Sequence, residues 1–106
     1  MEYKIPDIEA LKKVININGL SAQEDVAIEE MSELTKAILK RRRAVKEQAT
    51  ADKIRKSEDN IREEIADCII MIQQLILIYD VDGDIQMNIN KKIKRLKERY
   101  GMEDEE

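Results

Sequence analysis

IREEIADCIIMIQQLILIY, residues 61–79, is the stretch that decides the fold. Ile61, Ile65, Cys68, Ile69, Ile72, Leu75, Ile76 and Tyr79 recur at helical spacing and form a wide apolar stripe. Ile70, Met71, Leu77 and Ile78 place further apolar surface on other sides. A helix apolar nearly all round must be covered from more than one direction. A chain of 106 residues makes one small domain, which can hardly provide that cover alone. The stretch reads as a helix from about Asn60 to Tyr79, with Ser57 or Asp59 as cap, at the centre of an obligate oligomer.

Three more helices surround it in sequence. The first runs from about Asp7 to Ile17. Ile8, Leu11, Val14 and Ile15 form its stripe, Pro6 suits its start, and Asn18-Gly19 supplies the stop. The second opens on Ser21 and Glu24, which have the form of a capping box. It reaches about Arg43, with Ala27, Met31, Leu34 and Ile38 inward. From Lys40 to Glu58 the apolar pattern weakens, and eight bases stand against three acids. That stretch reads as a helix end followed by a mobile basic connection, whose Ala-rich middle could extend either neighbouring helix. The last helix spans about Ile85 to Tyr100, capped by Asp84 and stopped by Gly101. Its stripe is Ile85, Ile89, Ile93, Leu96 and Tyr100. Residues 1–102 form the expected domain, and 103–106 an acidic disordered tail. No internal repeat is present.

Composition narrows the chemistry. Charged residues make up 40% of the chain, and there are only three Gly and one Pro. That balance favours an all-α protein. With no Phe, Trp or His, the core is mainly aliphatic and imidazole is excluded from every role. This argues against zinc and against di-iron sites built on Glu-x-x-His. A cation here would be bound by oxygen, which suits Mg²⁺ or Mn²⁺. The net charge of -4 gives no general reason to expect nucleic-acid binding. The single cysteine, Cys68, can form no intrachain disulfide and reads as a small core residue. No signal peptide or membrane span is apparent, so a cytoplasmic location is the default. Asp80, Asp82 and Asp84 do not make a calcium loop: the positions that need Gly and Glu hold Ile85 and Lys91.

Two acid pairs carry the functional signal. Glu30 with Glu33, and Glu64 with Asp67, each have the spacing acid-x-x-acid inside an apolar-patterned helix. Residues three apart share a helix face. At 100° per residue, Glu30 lies about 50–60° and Glu64 roughly 80° from the centre of its own stripe. Neither therefore belongs to the fully solvated face. If the two helices pack antiparallel, four carboxylates meet. Such a cluster is stable only with a bound cation or with protonation. The spacing alone is weak, since Glu103 and Glu106 share it in the tail.

The segments Glu29-Glu30-Met31-Ser32-Glu33-Leu34 and Glu63-Glu64-Ile65-Ala66-Asp67 resemble the EExxE…EExxD signature of the MazG-like, all-α nucleoside triphosphate pyrophosphohydrolases. The resemblance covers about Leu11 to Tyr100. It includes the Gly19…Gln23 approach to the second helix, the apolar run after Asp67 and a Lys/Arg-rich last helix. It implies a four-helix subunit assembled into an oligomeric helical bundle, with a tetramer favoured over a dimer. It also implies Mg²⁺-dependent cleavage of NTP or dNTP between the α and β phosphates, giving a monophosphate and pyrophosphate. By the same resemblance Glu30, Glu33, Glu64 and Asp67 would be the metal ligands, and Glu29 the base for the attacking water. Lys91, Lys94 and Arg95, with Asn90 as a polar contact, are the phosphate-binding candidates on the last helix. Glu63 has no strong role.

One departure bears on substrate. Relatives that grip a particular base often use Trp, Phe or His, and this chain has only Tyr3, Tyr79 and Tyr100. The latter two sit on expected core stripes. Removal of unwanted dNTPs is the expected activity, and phosphoribosyl-ATP pyrophosphohydrolase is the enzymatic alternative. A helical scaffold or adaptor, dimerising through the third helix with its carboxylates idle, is the alternative of another class.

Overall fold

The computed structural model describes residues 3–80 and 82–103. Among them every regular element is helical, in the order α1 (Ile8–Asn18), α2 (Leu20–Lys46), α3 (Ala51–Tyr79) and α4 (Asp84–Arg99). The expected tail falls mostly outside the described residues; Glu103 is exposed.

The architecture is a long antiparallel hairpin of α2 and α3, with α1 packed against both. The basic stretch expected to be a mobile connection is helical except for a short turn, residues 47–50. Its Ala, Lys, Arg and Glu are good helix formers, and no Gly or Pro interrupts them. Gln48 makes the turn in the left-handed region at φ 56°. The Thr50 side chain caps α3 by accepting the Lys53 N–H at 3.2 Å. Ser57, expected as a cap, lies inside α3, where its buried hydroxyl donates to the Ile54 carbonyl.

The starts of α2 and α4 also differ from the sequence expectation, whereas α1 begins as expected, with Asp7 as its cap. Gly19, at φ 87°, ends α1 and begins α2 as a one-residue joint. Only glycine adopts that conformation at little cost, and it displaces the Ser21 start. Glu24, freed from any capping role, accepts a hydrogen bond from the Tyr79 hydroxyl across the hairpin. The N-cap of α4 is Gly83, with Asp84 inside the first turn, and Asp80 accepts the Ile85 N–H.

The packed seam is narrower than the apolar stripes imply. On α2 the covered positions are Gln23, Ala27, Glu30, Leu34, Ala37, Arg41 and Ala44. On α3 they include Ile54, Ser57, Ile61, Glu64, Cys68, Met71, Leu75 and Ile78, with Gln74 beside them. Spacings alternate between three and four, as in a coiled-coil seam. Met31 and Ile38 of α2 are each 42% exposed, so they lie off this seam. Ile65, Ile72 and Tyr79 of α3 are likewise exposed, and Met71 is buried instead. Small residues at Ala27, Ala37, Ser57 and Cys68 let the two helices approach closely, which selects this face over the bulkier one. With the Tyr79–Glu24 bond, three further polar rungs fix the register. The Gln23 amide donates to Gln74 Oε1 at 2.6 Å, the Cys68 thiol to the Glu30 carbonyl at 3.4 Å, and Arg41 to Glu58 at 2.9 Å.

The last helix stands apart. It makes no packed interface with α1, α2 or α3 and has no buried residue. Ile89, Ile93, Leu96 and Tyr100 have the expected periodicity but face open space, with Tyr100 67% exposed. The radius of gyration is 17.6 Å, against about 13 Å for a compact chain of ~100 residues.

The buried Gln23–Gln74 pair gives a stability test. Gln74→Ala leaves the Gln23 amide without its partner and should lower unfolding free energy by about 1–3 kcal/mol in urea titration. Replacing both with Leu should cost less than Gln74→Ala alone.

Candidate functional site

The two acid motifs meet across the hairpin. One carboxylate oxygen from each of Glu30, Glu64 and Asp67 lies within 4.8 Å of the others. Glu30 and Glu64 occupy seam positions, closer to the packed face than their stripe angles suggest. The register puts them together: the Glu30 carbonyl accepts from Cys68, which follows Glu64 by one helical turn. Asp67 is exposed at the edge of the seam.

The electrostatics are those of crowded like charges. Burial, then Asp67, Glu64, Glu29 and Glu33, push the Glu30 carboxyl above the usual range. Burial, then Asp67, Glu33 and Glu63, do the same to Glu64. Every charge named in these two shifts is acidic, and all lie on α2 or α3. Glu64 Oε2 is shielded from solvent and has no hydrogen-bond partner. An acceptor in that position calls for a donor or a cation. Cys68, beside the cluster, is buried and its thiol is pushed up by burial and by the same acids. It donates a hydrogen bond, and its raised pKa disfavours the reactive thiolate.

Glu33 is not in the tight trio. It is half-buried and pairs with Lys36 at 3.4 Å. It is nonetheless close enough to raise both seam glutamates. Glu29 and Glu63 are exposed on the flanks of the cluster.

An all-oxygen set of this kind fits a hard divalent cation. Six-coordinate Mg²⁺ with bonds of about 2.0–2.1 Å needs ligand oxygens about 3–4 Å apart. The trio is within a modest side-chain adjustment of that spacing.

The α4 candidates lie elsewhere in the chain. Asn90 and Lys94 border one shallow cleft, and Arg95 borders another. Asn90 accepts a hydrogen bond from Gln86 at 3.0 Å. Lys91 is exposed. Of the tyrosines, Tyr79 and Tyr100 are exposed rather than in a core. Tyr3 borders an apolar cleft of about 370 Å³ with Pro6, Leu11, Ala66 and Ile70; Ile70 lies one turn beyond Asp67 on α3. Sequence reasoning missed the Asn18–Gln23–Gln74 chain of hydrogen bonds. The available signal was Gln73-Gln74 interrupting the most apolar run.

No family model matches the chain, and no curated protein or solved structure matches it.

The raised carboxyls set a pH dependence. The folded state holds protons on Glu30 and Glu64 more tightly than the unfolded chain, whose ordinary value is 4.5. Their contribution to stability is therefore complete below that value and is lost as pH rises through the folded-state values. Without divalent metal, Glu64→Gln should raise the Tm at neutral pH and weaken its fall with rising pH, measured by circular dichroism. An unchanged Tm profile would mean that the repulsion is negligible.

Proposed function

We propose that this chain is a Mg²⁺-dependent nucleoside triphosphate pyrophosphohydrolase, with Mn²⁺ as the alternative metal. The observation that carries the reading is the convergence of Glu30, Glu64 and Asp67 around an unpartnered carboxylate oxygen. The likeness of Glu29–Leu34 and Glu63–Asp67 to the MazG-like signature adds the reaction class.

In this reading Glu30, Glu64 and Asp67 hold the metal, and Glu33 joins them by releasing Lys36. Bound Mg²⁺ would neutralise polyphosphate charge and make water a better nucleophile. Glu29, exposed beside the trio, orients the attacking water and takes its proton. Water oxygen bonds to the α phosphorus, the α–β anhydride bond breaks, and the products are a monophosphate and pyrophosphate. Tyr3, at the apolar cleft beyond Asp67, is the tyrosine best placed to meet a base.

Assembly belongs to the same proposal. The extended subunit and the uncovered apolar face of α4 support a homo-oligomer, and the MazG-like likeness favours a tetramer over a dimer. A second copy would then bring Lys91, Lys94 and Arg95 of its α4 toward these carboxylates, where they hold phosphate. No described helix is long and apolar enough to cross a membrane. The same exposed apolar faces also favour a second reading, a helical scaffold that dimerises through α3. A scaffold should gain no thermal stability from millimolar Mg²⁺.

The deciding experiment incubates the chain with a panel of NTPs, dNTPs and phosphoribosyl-ATP plus Mg²⁺, and assays pyrophosphate and orthophosphate separately. Pyrophosphate with monophosphate, abolished by EDTA, is expected. Release of neither from any substrate would leave the scaffold. Asp67→Asn and Glu33→Gln should each lower kcat by at least about 100-fold while the oligomer stays folded, since metal-held charge supplies several kcal/mol of transition-state stabilisation. Unfolding of both variants would make the acids structural. Lys91→Ala should raise KM or lower kcat if it holds phosphate, and unchanged kinetics would remove it from the site.

A further inference from the structure

At the turn end of the hairpin, cations from both helices line one cleft of about 470 Å³. Lys40 and Arg43 come from α2, Lys53 and Lys56 from α3, and Glu47 is the only acid among the lining residues. The volume lies within the roughly 300–1,000 Å³ typical of small-molecule sites. Ala44, Ala49 and the buried Ser57 also line it, and these small side chains leave the hollow between the longer ones.

The arrangement follows from helical phase. Lys40, Arg43 and Glu47 fall on one side of α2, just off the seam residues Ala37 and Ala44. Lys53, Lys56 and Asn60 fall on the matching side of α3 beside Ser57. On the opposite side of the seam, Arg41 is neutralised by Glu58 at 2.9 Å. On the cleft side only Lys56 has a carboxylate, Asp52 at 3.4 Å on its own helix, and exposed pairs of that kind are weak. Lys40, Arg43 and Lys53 have none among the described residues. Part of this charge complements the C-terminal end of the α2 dipole. That accounts for Arg43 but not for Lys53 of α3, and Lys56 has only its exposed pairing with Asp52. Converging cations from two helices in an acidic chain repel one another and are relieved by a multivalent anion.

We propose that this cleft binds a short oligophosphate, read by its charge and phosphate oxygens and held without a metal. The cleft is distinct from the carboxylate trio. Ser57 and Glu64 are seven residues apart on α3, about 10 Å along the helix axis. Arg43 offers a planar fork that can take two phosphate oxygens, and the lysines supply mobile point charges. Asn60 adds an amide donor at the end nearest the carboxylates. The inference stands whether or not the trio performs hydrolysis.

The test is calorimetric titration of the full chain with tripolyphosphate in EDTA, with a nucleoside triphosphate and a single-stranded oligonucleotide as parallel arms. Saturable tripolyphosphate binding that weakens with added salt is expected. Lys40→Gln with Lys53→Gln should weaken it about tenfold or more, while Glu64→Gln should leave it unchanged. Both lysines are exposed, and circular dichroism checks that the double variant stays helical. No binding by the wild type, or equal binding by the double variant, would overturn the proposal. Binding confined to the nucleotide would overturn a site that reads phosphate alone. Tighter binding of the oligonucleotide than of tripolyphosphate would replace it with a nucleic-acid surface.

Discussion

The close approach of α2 to α3 is the constraint on which the rest of this molecule depends. Few apolar side chains support it: the buried ones among the described residues are Ala27, Ala37, Cys68 and Met71. The interface is therefore specified by shape and by polar rungs more than by apolar mass. Small residues bring the backbones together, and the hydrogen bonds at Gln23–Gln74, Cys68–Glu30 and Arg41–Glu58 hold one register. An unpaired amide or charge in such a seam would cost more than its bond contributes, so slipped registers are disfavoured. The acid trio is a product of that register. Its members come from two helices whose relative position is set by groups other than their carboxylates.

The four helices were legible in the sequence because their apolar periodicity is strong. Their ends were less so. The stretch from Lys40 to Glu58 has no apolar stripe, and a stripe is what marks a helix packed on its neighbours. The residues there have high intrinsic helix propensity, and Thr50 supplies the cap that starts α3 where a later cap was expected. The inner face of α2 was misplaced in part, for a related reason. Ala27 and Leu34 were placed inward correctly, but hydropathy added Met31 and Ile38 where packing distance favours Ala37. Size decided the matter, and hydropathy scales do not carry size. That same rotation moved Glu30 onto the seam, nearer Glu64 and Asp67 than its stripe angle implied, while Glu33 stayed outside the trio. Glu33 was less legible, because its pairing with Lys36 is a local alternative that spacing cannot reveal. The last helix shows the limit of periodicity. Its stripe says that something must cover it, and nothing in the stripe identifies the cover.

The hairpin is also electrically polar along its length. Carboxylates crowd its middle, cations crowd its turn, and the two zones share a continuous pair of helices. Each zone is self-repelling, and an ion of opposite sign would relieve it. Their separation along the rods keeps them from neutralising one another, as would happen if they were adjacent. A chain with net charge -4 thus presents two local fields that the net value conceals.

The alternating three- and four-residue seam has an evolutionary corollary. A single-residue insertion in either arm would turn everything beyond it by about 100°, carrying Glu30 or Glu64 out of the interface. Seven-residue insertions nearly restore the phase, and only when both arms gain them together does the pairing survive. Changes in chain length are thereby channelled to the tip, where matched heptads would push the basic turn outward in steps of about 10 Å while the carboxylates stayed in place. Homologous hairpins should accordingly differ in length by quantised amounts, and such lengths would trace descent even where residue identities have been lost.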